Sequence, residues 1–217
     1  IKNLRHHSAI LGIHMEDPLV CHFTGMHEFS SIVKIEGLLR MVISDARHRS
    51  GSQATQLQLI ICVMAGKDPG YKYLKWVSET KIGVVTQCCL SLHANKGEDK
   101  FMVNLCLKMN AKLGGSNVEL NERFPDFADD DYVMFIGADV NHPAARNSTS
   151  PSIAAVVGSI NWPAANQYAA RVQPQDHCKE KIMNFGSICR DLVSTYAQHN
   201  MVRPKKIIVF RDGVSEG

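Results

Sequence analysis

From residue 26 the apolar positions fall mostly three and four apart: Phe29, Ile32, Val33, Ile35, Leu38, Leu39 and Val42. That spacing gathers them on one face of a helix and predicts one over residues 26–47. The polar stretch ARHRSGSQATQ reads as a loop, after which residues 57–64 are apolar without interruption, the mark of a strand buried on both faces. AGKDPGYKY breaks that run, and a helix is expected over about residues 71–80. Residues 82–90 read as a second strand and 100–113 as a second helix, stopped by Gly114-Gly115. Strand, helix, strand, helix with short connections predicts an α/β unit with a parallel sheet under covering helices.

The rhythm changes after NERFPDFADDD (121–131), whose acidic and helix-breaking residues mark a seam. YVMFIGADV, SIAAVVGSI and QYAARVQ are strand-like, with no room for helices between them, and so predict an antiparallel meander. An amphipathic helix over about residues 177–199 and a strand over 206–211 complete the pattern. Three strands, a helix and a fourth strand is the opening order of a ribonuclease-H-type sheet. There the helix is a crossover, which lays the first and fourth strands side by side and parallel.

Composition adds limits. The 217 residues suffice for one large or two small domains, and 45% hydrophobic content with 21% charge is ordinary for a globular chain. A net charge of +3 permits a polyanionic partner without requiring one. The seven cysteines show no CxxC spacing and sit mostly in apolar runs, the pattern of reduced thiols, so a cytoplasmic and also a nuclear location are expected. No run reaches the about 18 apolar residues of a membrane span, and no signal-peptide core opens the chain, so no membrane partner is expected. Without an initiator methionine and ending at Gly217, the sequence reads as a piece of a longer protein.

The expected strand order brings two carboxylates together. Asp139 ends the first strand of the meander and Asp212 ends the closing strand. Either alone suits a turn: Asp139 precedes Asn-His-Pro and Asp212 precedes Gly. Side by side they repel unless a cation lies between them. Magnesium is the hard, oxygen-seeking ion for such a pair, and two such ions serve phosphodiester cleavage. Glu180 falls where the first turn of the 177–199 helix is expected, where a carboxylate also suits the helix dipole.

The first unit carries a basic cluster, with eight lysines against four acidic residues over 67–112. Such a surplus is most often a solvated face. Spacing sharpens it: Tyr71 and Lys75 are four apart on one expected helix, and Lys108 and Lys112 are four apart on the other. With Gln87 they would form a pocket of donors at the carboxyl edge of the parallel sheet, suited to a terminal phosphate. The Tyr71 ring could also stack on a base.

Residues 132–217, through FIGADVNHP, SPSIAAVVGSINWP and IIVFRDGVSEG, resemble the PIWI domain of eukaryotic Argonaute proteins, and plant members above all. Residues 21–120, through TQCCL and NLCLKMNAKLGG, resemble the Argonaute MID domain, with 1–20 as its start or a linker and 121–131 as the connection. The resemblance implies a Rossmann-like MID domain and a partial ribonuclease-H-like PIWI domain. It implies a guide 5′-phosphate and base site at Tyr71, Lys75, Gln87, Cys88, Lys108 and Lys112. It further implies catalytic residues Asp139, Glu180 and Asp212, with Asp139 and Asp212 holding Mg²⁺ or Mn²⁺, two ions in an intact site. The fourth ligand of the family lies downstream of Gly217.

The implied partners are a single-stranded guide RNA, a complementary target RNA and silencing proteins. The implied activity is small-RNA-guided silencing with Mg-dependent cleavage in the intact protein. An Argonaute that binds without cleaving is the alternative. A nucleotide-binding α/β enzyme is disfavoured, because GKDPGY is neither GxGxxG nor GxxxxGK[ST]. His6, His7, His22, His27 and His93 have no metal-ligand spacing, and His142 is expected to pack in its turn.

Overall fold

Ser31 divides what the spacing predicts as one helix. In the computed structural model, which describes residues 1–51, 57–119, 127, 131–144, 147 and 149–212, its hydroxyl accepts from the Lys34 N–H at 3.3 Å. That N-cap opens helix α2 (Ile32–Ser50), leaving Met26–Ser30 as a separate 3₁₀ turn. Gly51, with φ of +64°, closes α2 in the left-handed conformation that glycine adopts freely. A preceding helix, α1 (Lys2–Ile10), was not expected from the pattern.

The chain forms two compact units, Ile1–Asn117 and Val118–Gly217. In the first, strand β1 (Leu59–Met64) leads into α3 (Gly70–Val77), which continues as one π turn, Ser78–Ile82. Strand β2 (Val85–Leu90) follows, then a short α4 (Ser91–Lys96) and α5 (Asp99–Lys112). The π turn takes the start of the strand expected from residue 82. β1 and β2 are parallel, with Cys62 opposite Cys88. One face of this pair carries Ile35, Leu39, Met64, Leu74 and Val77, from α2 and α3 as well as β1. The other carries Leu4, Met102, Leu105, Cys106 and Met109, from α1 and α5. Gly70 sits so near the 3₁₀ turn that an added Cβ would lie 2.4 Å from the Phe29 carbonyl oxygen.

The second unit has strands β3 (Val133–Asn141), β4 (Ser152–Ser159) and β5 (Tyr168–Gln175), then helix α6 (Phe185–Asn200) and strand β6 (Lys206–Arg211). The sheet runs β5-β4-β3-β6, antiparallel through the meander and parallel between β3 and β6. α6 covers one face, burying Leu192 and Tyr196 against Met134, Ile136, Ala138, Ala154 and Val156. The Tyr196 hydroxyl donates to the Val133 carbonyl at 3.3 Å.

α6 begins at Phe185, well after the expected residue 177. Gln175 explains the delay. Its amide nitrogen donates to the carbonyls of Lys179 and Lys181, and its amide oxygen accepts from the Met183 N–H at 3.3 Å. Those backbone groups are drawn into a loop, so Glu180 lies outside the helix whose first turn it was expected to join. The expected seam at 121–131 falls largely outside the described residues, as do 52–56 of the first loop. Among the described residues no helix is long and apolar enough to cross a membrane.

Candidate functional site

Lys75 and Lys112 lie in the last turns of α3 and α5, on opposite faces of the β1–β2 pair. Their ammonium groups converge on one backbone oxygen. Lys75 Nζ donates to the Thr86 carbonyl at 2.7 Å, and Lys112 Nζ donates to the same oxygen at 2.9 Å. Lys75 also donates to Thr86 Oγ1 at 2.9 Å, and Lys112 to Gln87 Oε1 at 2.8 Å. The Gln87 amide nitrogen in turn donates to the Cys88 carbonyl at 2.7 Å.

Two cations on one carbonyl repel each other, and an anion beside them relieves that repulsion. The Lys112 pKa is lowered from the ordinary lysine value, first by burial and then by the charge of Lys75. The Cys88 thiol is pulled down to about 7, first by a hydrogen bond from Cys62, with help from Lys75 and Lys112. In both groups the charge of a neighbouring lysine is a secondary cause of the shift.

The cluster is not at the carboxyl edge where the sequence pattern put it. Thr86 and Gln87 are in the amino half of β2. The lysines belong to the final turns of helices that return along the strands, which carries their amines toward the strand starts. Tyr71 and Lys108, one turn earlier on α3 and α5, are exposed, and their side chains hydrogen-bond to no described residue. The structure thus joins Lys75, Gln87 and Lys112 directly, couples Cys88 to them by charge, and leaves Tyr71 and Lys108 as free flanking groups.

In the second unit, Ala138 of β3 is the partner of Arg211 of β6, so the next residues, Asp139 and Asp212, stand abreast. The Asp212 N–H donates to the Ala138 carbonyl at 3.2 Å, extending the ladder to the aspartate itself. Ala138 faces the core under α6, so Asp139 projects from the opposite face. Both carboxylates line a shallow depression floored by Gly137, Ala155 and Val157. Two exposed, adjacent, hard oxygen donors fit a divalent cation of the magnesium class.

Glu180 is engaged differently. His142 Nε2 lies 2.8 Å from Glu180 Oε1; a carboxylate only accepts, so the imidazole donates. His142 Nδ1 is 2.7 Å from the hydroxyl of buried Ser152, which fixes the ring. The Arg211 guanidinium donates to the Glu180 backbone carbonyl, tying the loop to β6 next to Asp212. Among the described residues no group of three or more metal-binding side chains comes together. The aspartates are paired, and the glutamate is held by His142 and Arg211. The sequence pattern places His142 in a turn and gives Arg211 no role. Their adjacency to the aspartates, at Asp139 plus three and Asp212 minus one, was the available signal.

The second unit thus carries a ribonuclease-H-like sheet with two carboxylates abreast on its parallel strands. The chain belongs to the Argonaute family: the profile described as "Piwi domain" matches residues 59–217. It is 47% identical over 81% of its length to protein argonaute 2 of Oryza sativa subsp. japonica, and 44% identical over 89% to protein argonaute 7 of Arabidopsis thaliana. It spans 17% and 19% of the lengths of those relatives. In fold it is similar to Kluyveromyces polysporus Argonaute with a guide RNA, at a TM-score of 0.70 and 23% identity, covering 99% of this chain and 24% of that one. The C-terminal lobe of a budding yeast Argonaute matches at a TM-score of 0.73 and 23% identity, over 99% of this chain and 42% of that one.

Proposed function

We propose that the first unit binds the 5′-phosphate of a single-stranded guide RNA, and that a full-length protein containing this chain silences complementary RNA by cleaving it. The observation that carries this reading is the convergence of Lys75 and Lys112 on the Thr86 carbonyl beside Gln87. A terminal phosphate carries up to two charges and needs several donors to replace its water. The lysines supply the charge, while Tyr71 and Lys108 stand free to close over the ligand, Tyr71 stacking on the first base. The guide-RNA complex of the yeast relative agrees with this partner class.

For cleavage, Asp139 and Asp212 would hold Mg²⁺ or Mn²⁺, which when bound activates water and stabilises the leaving oxygen. His142 and Arg211 orient Glu180 at the margin of that site, from which its carboxylate joins the aspartates once guide and target have paired. Silencing proteins would act on the loaded complex. A second reading, guide binding without cleavage, is favoured by the engagement of Glu180 with His142.

Titration with a nucleoside 5′-monophosphate and with its unphosphorylated nucleoside tests the pocket. Charge-assisted bonds contribute about 1.5–3 kcal/mol each, so the phosphorylated form should bind at least about 10-fold more tightly. Equal affinity for both would sink the 5′-phosphate reading.

A further inference from the structure

Cys62 and Cys88 are direct partners on the parallel strands β1 and β2. Register partners share a face, and both pack against the apolar cluster that includes Leu74 and Val77 of α3. Adjacent strands lie about 4.8 Å apart, within the Cα separation of about 4.4–6.8 Å that a disulfide spans. Cys89, the next residue, packs with the opposite cluster. Neither Cys62 nor Cys88 is fully buried, so a small oxidant can reach them.

We propose that Cys62 and Cys88 are an oxidisable pair, which hydrogen peroxide converts to a reversible disulfide in the wall of the phosphate pocket. The location beside a phosphate rests on the function proposed above; the pairing of the two thiols does not. The charged and titratable groups around Cys88 are Lys75 from α3, Lys112 from α5, Cys62 from β1 and Cys89 beside it.

Cys88 is the attacking sulfur, because the Cys62 hydrogen bond and the two lysines favour its thiolate. Cys62 keeps its proton, raised by that same hydrogen bond and by burial. The thiolate attacks one peroxide oxygen, the O–O bond breaks, and the departing hydroxide takes a proton to leave as water. Cys88 is then a sulfenic acid. The Cys62 sulfur attacks the Cys88 sulfur, the S–O bond breaks, and a second water leaves with the Cys62 proton. Two thiols have lost two electrons and two protons, and one peroxide has become two waters. A phosphate bound at Lys75 and Lys112 places negative charge beside Cys88, which holds its proton on and slows the first step. Oxidation is therefore a property of the empty pocket.

The test treats the full chain with hydrogen peroxide, with and without saturating uridine monophosphate, alkylates remaining thiols and maps peptides by mass. The expected product links the Cys62 peptide to the Cys88–Cys89 peptide, is two hydrogens lighter, and reverts with dithiothreitol. It should vanish in Cys62→Ser and Cys88→Ser, persist in Cys89→Ser, and form about tenfold more slowly with the monophosphate but not with uridine. Should Cys88→Ser not fold, Cys62→Ser carries the test, since Cys88 should then stop at a sulfenic acid that dimedone traps. A link that survives Cys88→Ser, or Cys88 advancing to sulfinic acid while Cys62 stays reduced, overturns the proposal. A link that forms at the same rate with and without monophosphate upholds the thiol pair and counts against the phosphate reading.

Discussion

His142 Nε2 stands 2.8 Å from Glu180 Oε1, so the glutamate proposed as third carboxylate of a cleavage site is held by a residue three positions after Asp139. Since Ser152 fixes the imidazole from its other side, the orientation of Glu180 depends on a chain of contacts running back into the sheet. Removal of such an orienting partner typically costs about 10–100-fold in activity. In a full-length protein, His142→Ala should lower single-turnover cleavage by that factor while guide affinity and thermal stability hold. In a Glu180→Ala background the same change should cost nothing further, because both act through one carboxylate. Additive losses would show that His142 works by another route.

Asp139 and Asp212 are abreast on the parallel strands β3 and β6, which gives a prediction that does not depend on guide RNA. Divalent cations that bind only the folded state raise stability, by about 2.7 kcal/mol at a hundred times the dissociation constant. Magnesium should therefore raise the melting temperature of the second unit. Asp139→Asn and Asp212→Asn should each abolish that rise and reduce Mg-dependent cleavage in the full-length protein by at least about 100-fold. Normal cleavage in Asp212→Asn would exclude it from the site.

The aspartate pair was legible because strand order alone creates it. Three short strands, a crossover helix and a fourth strand leave β3 and β6 adjacent, and each aspartate follows its apolar run. The state of Glu180 was not legible, because it depends on Gln175 diverting the backbone of residues 179–183 from the helix. A single buried amide leaves no periodic trace. The proposed phosphate pocket was half legible: four-residue spacing grouped Tyr71 with Lys75 and Lys108 with Lys112. Which end of β2 the lysines would reach depended on how far each helix returns along the sheet, and spacing carries no such information.

Lys112 donates to both the Thr86 carbonyl and Gln87 Oε1, and its ammonium is one of two in the proposed pocket. Lys112→Ala should weaken nucleoside monophosphate binding by about 10–100-fold, equal to one charge-assisted contact. Binding of the unphosphorylated nucleoside should not change. Isothermal titration distinguishes this from a general loss of the pocket, in which both ligands weaken together.

Affinity for the monophosphate should pass through a maximum near neutral pH. Below it, the phosphate has yet to lose its second proton, at a pKa of about 6. Above it, Cys88 ionises at about 7 and puts a negative charge beside the same lysines. Bound phosphate favours protonated Cys88, so affinity falls as pH rises through that value; a shift of one pKa unit limits the fall to about tenfold. In Cys88→Ser the plateau should extend upward until Lys112 deprotonates, earlier than an ordinary lysine because burial and Lys75 lower its pKa. A profile unchanged by Cys88→Ser would remove the thiol from the pocket's electrostatics.

Gly70 and Gly158 differ in what lies next to them, and the same substitution should separate them. At Gly70 an added Cβ meets the Phe29 carbonyl oxygen at 2.4 Å and the Asp68 carboxylate at 2.7 Å. The first is backbone of the 3₁₀ turn, and the second already accepts the Gly70 N–H at 2.6 Å, so neither moves without losing a contact. Gly158 faces the Met134 Cε at 2.6 Å, the far end of a flexible side chain, with Leu192 atoms at an ordinary 3.6 Å. Gly70→Ala should destabilise the first unit by about 1–3 kcal/mol, the usual cost of overpacking, and move the start of α3, which carries Tyr71. Gly158→Ala should cost under about 1 kcal/mol, because Met134 can repack. Urea denaturation of both variants checks the order, and an equal cost at the two positions would show that the 3₁₀ turn yields as readily as a methionine tip.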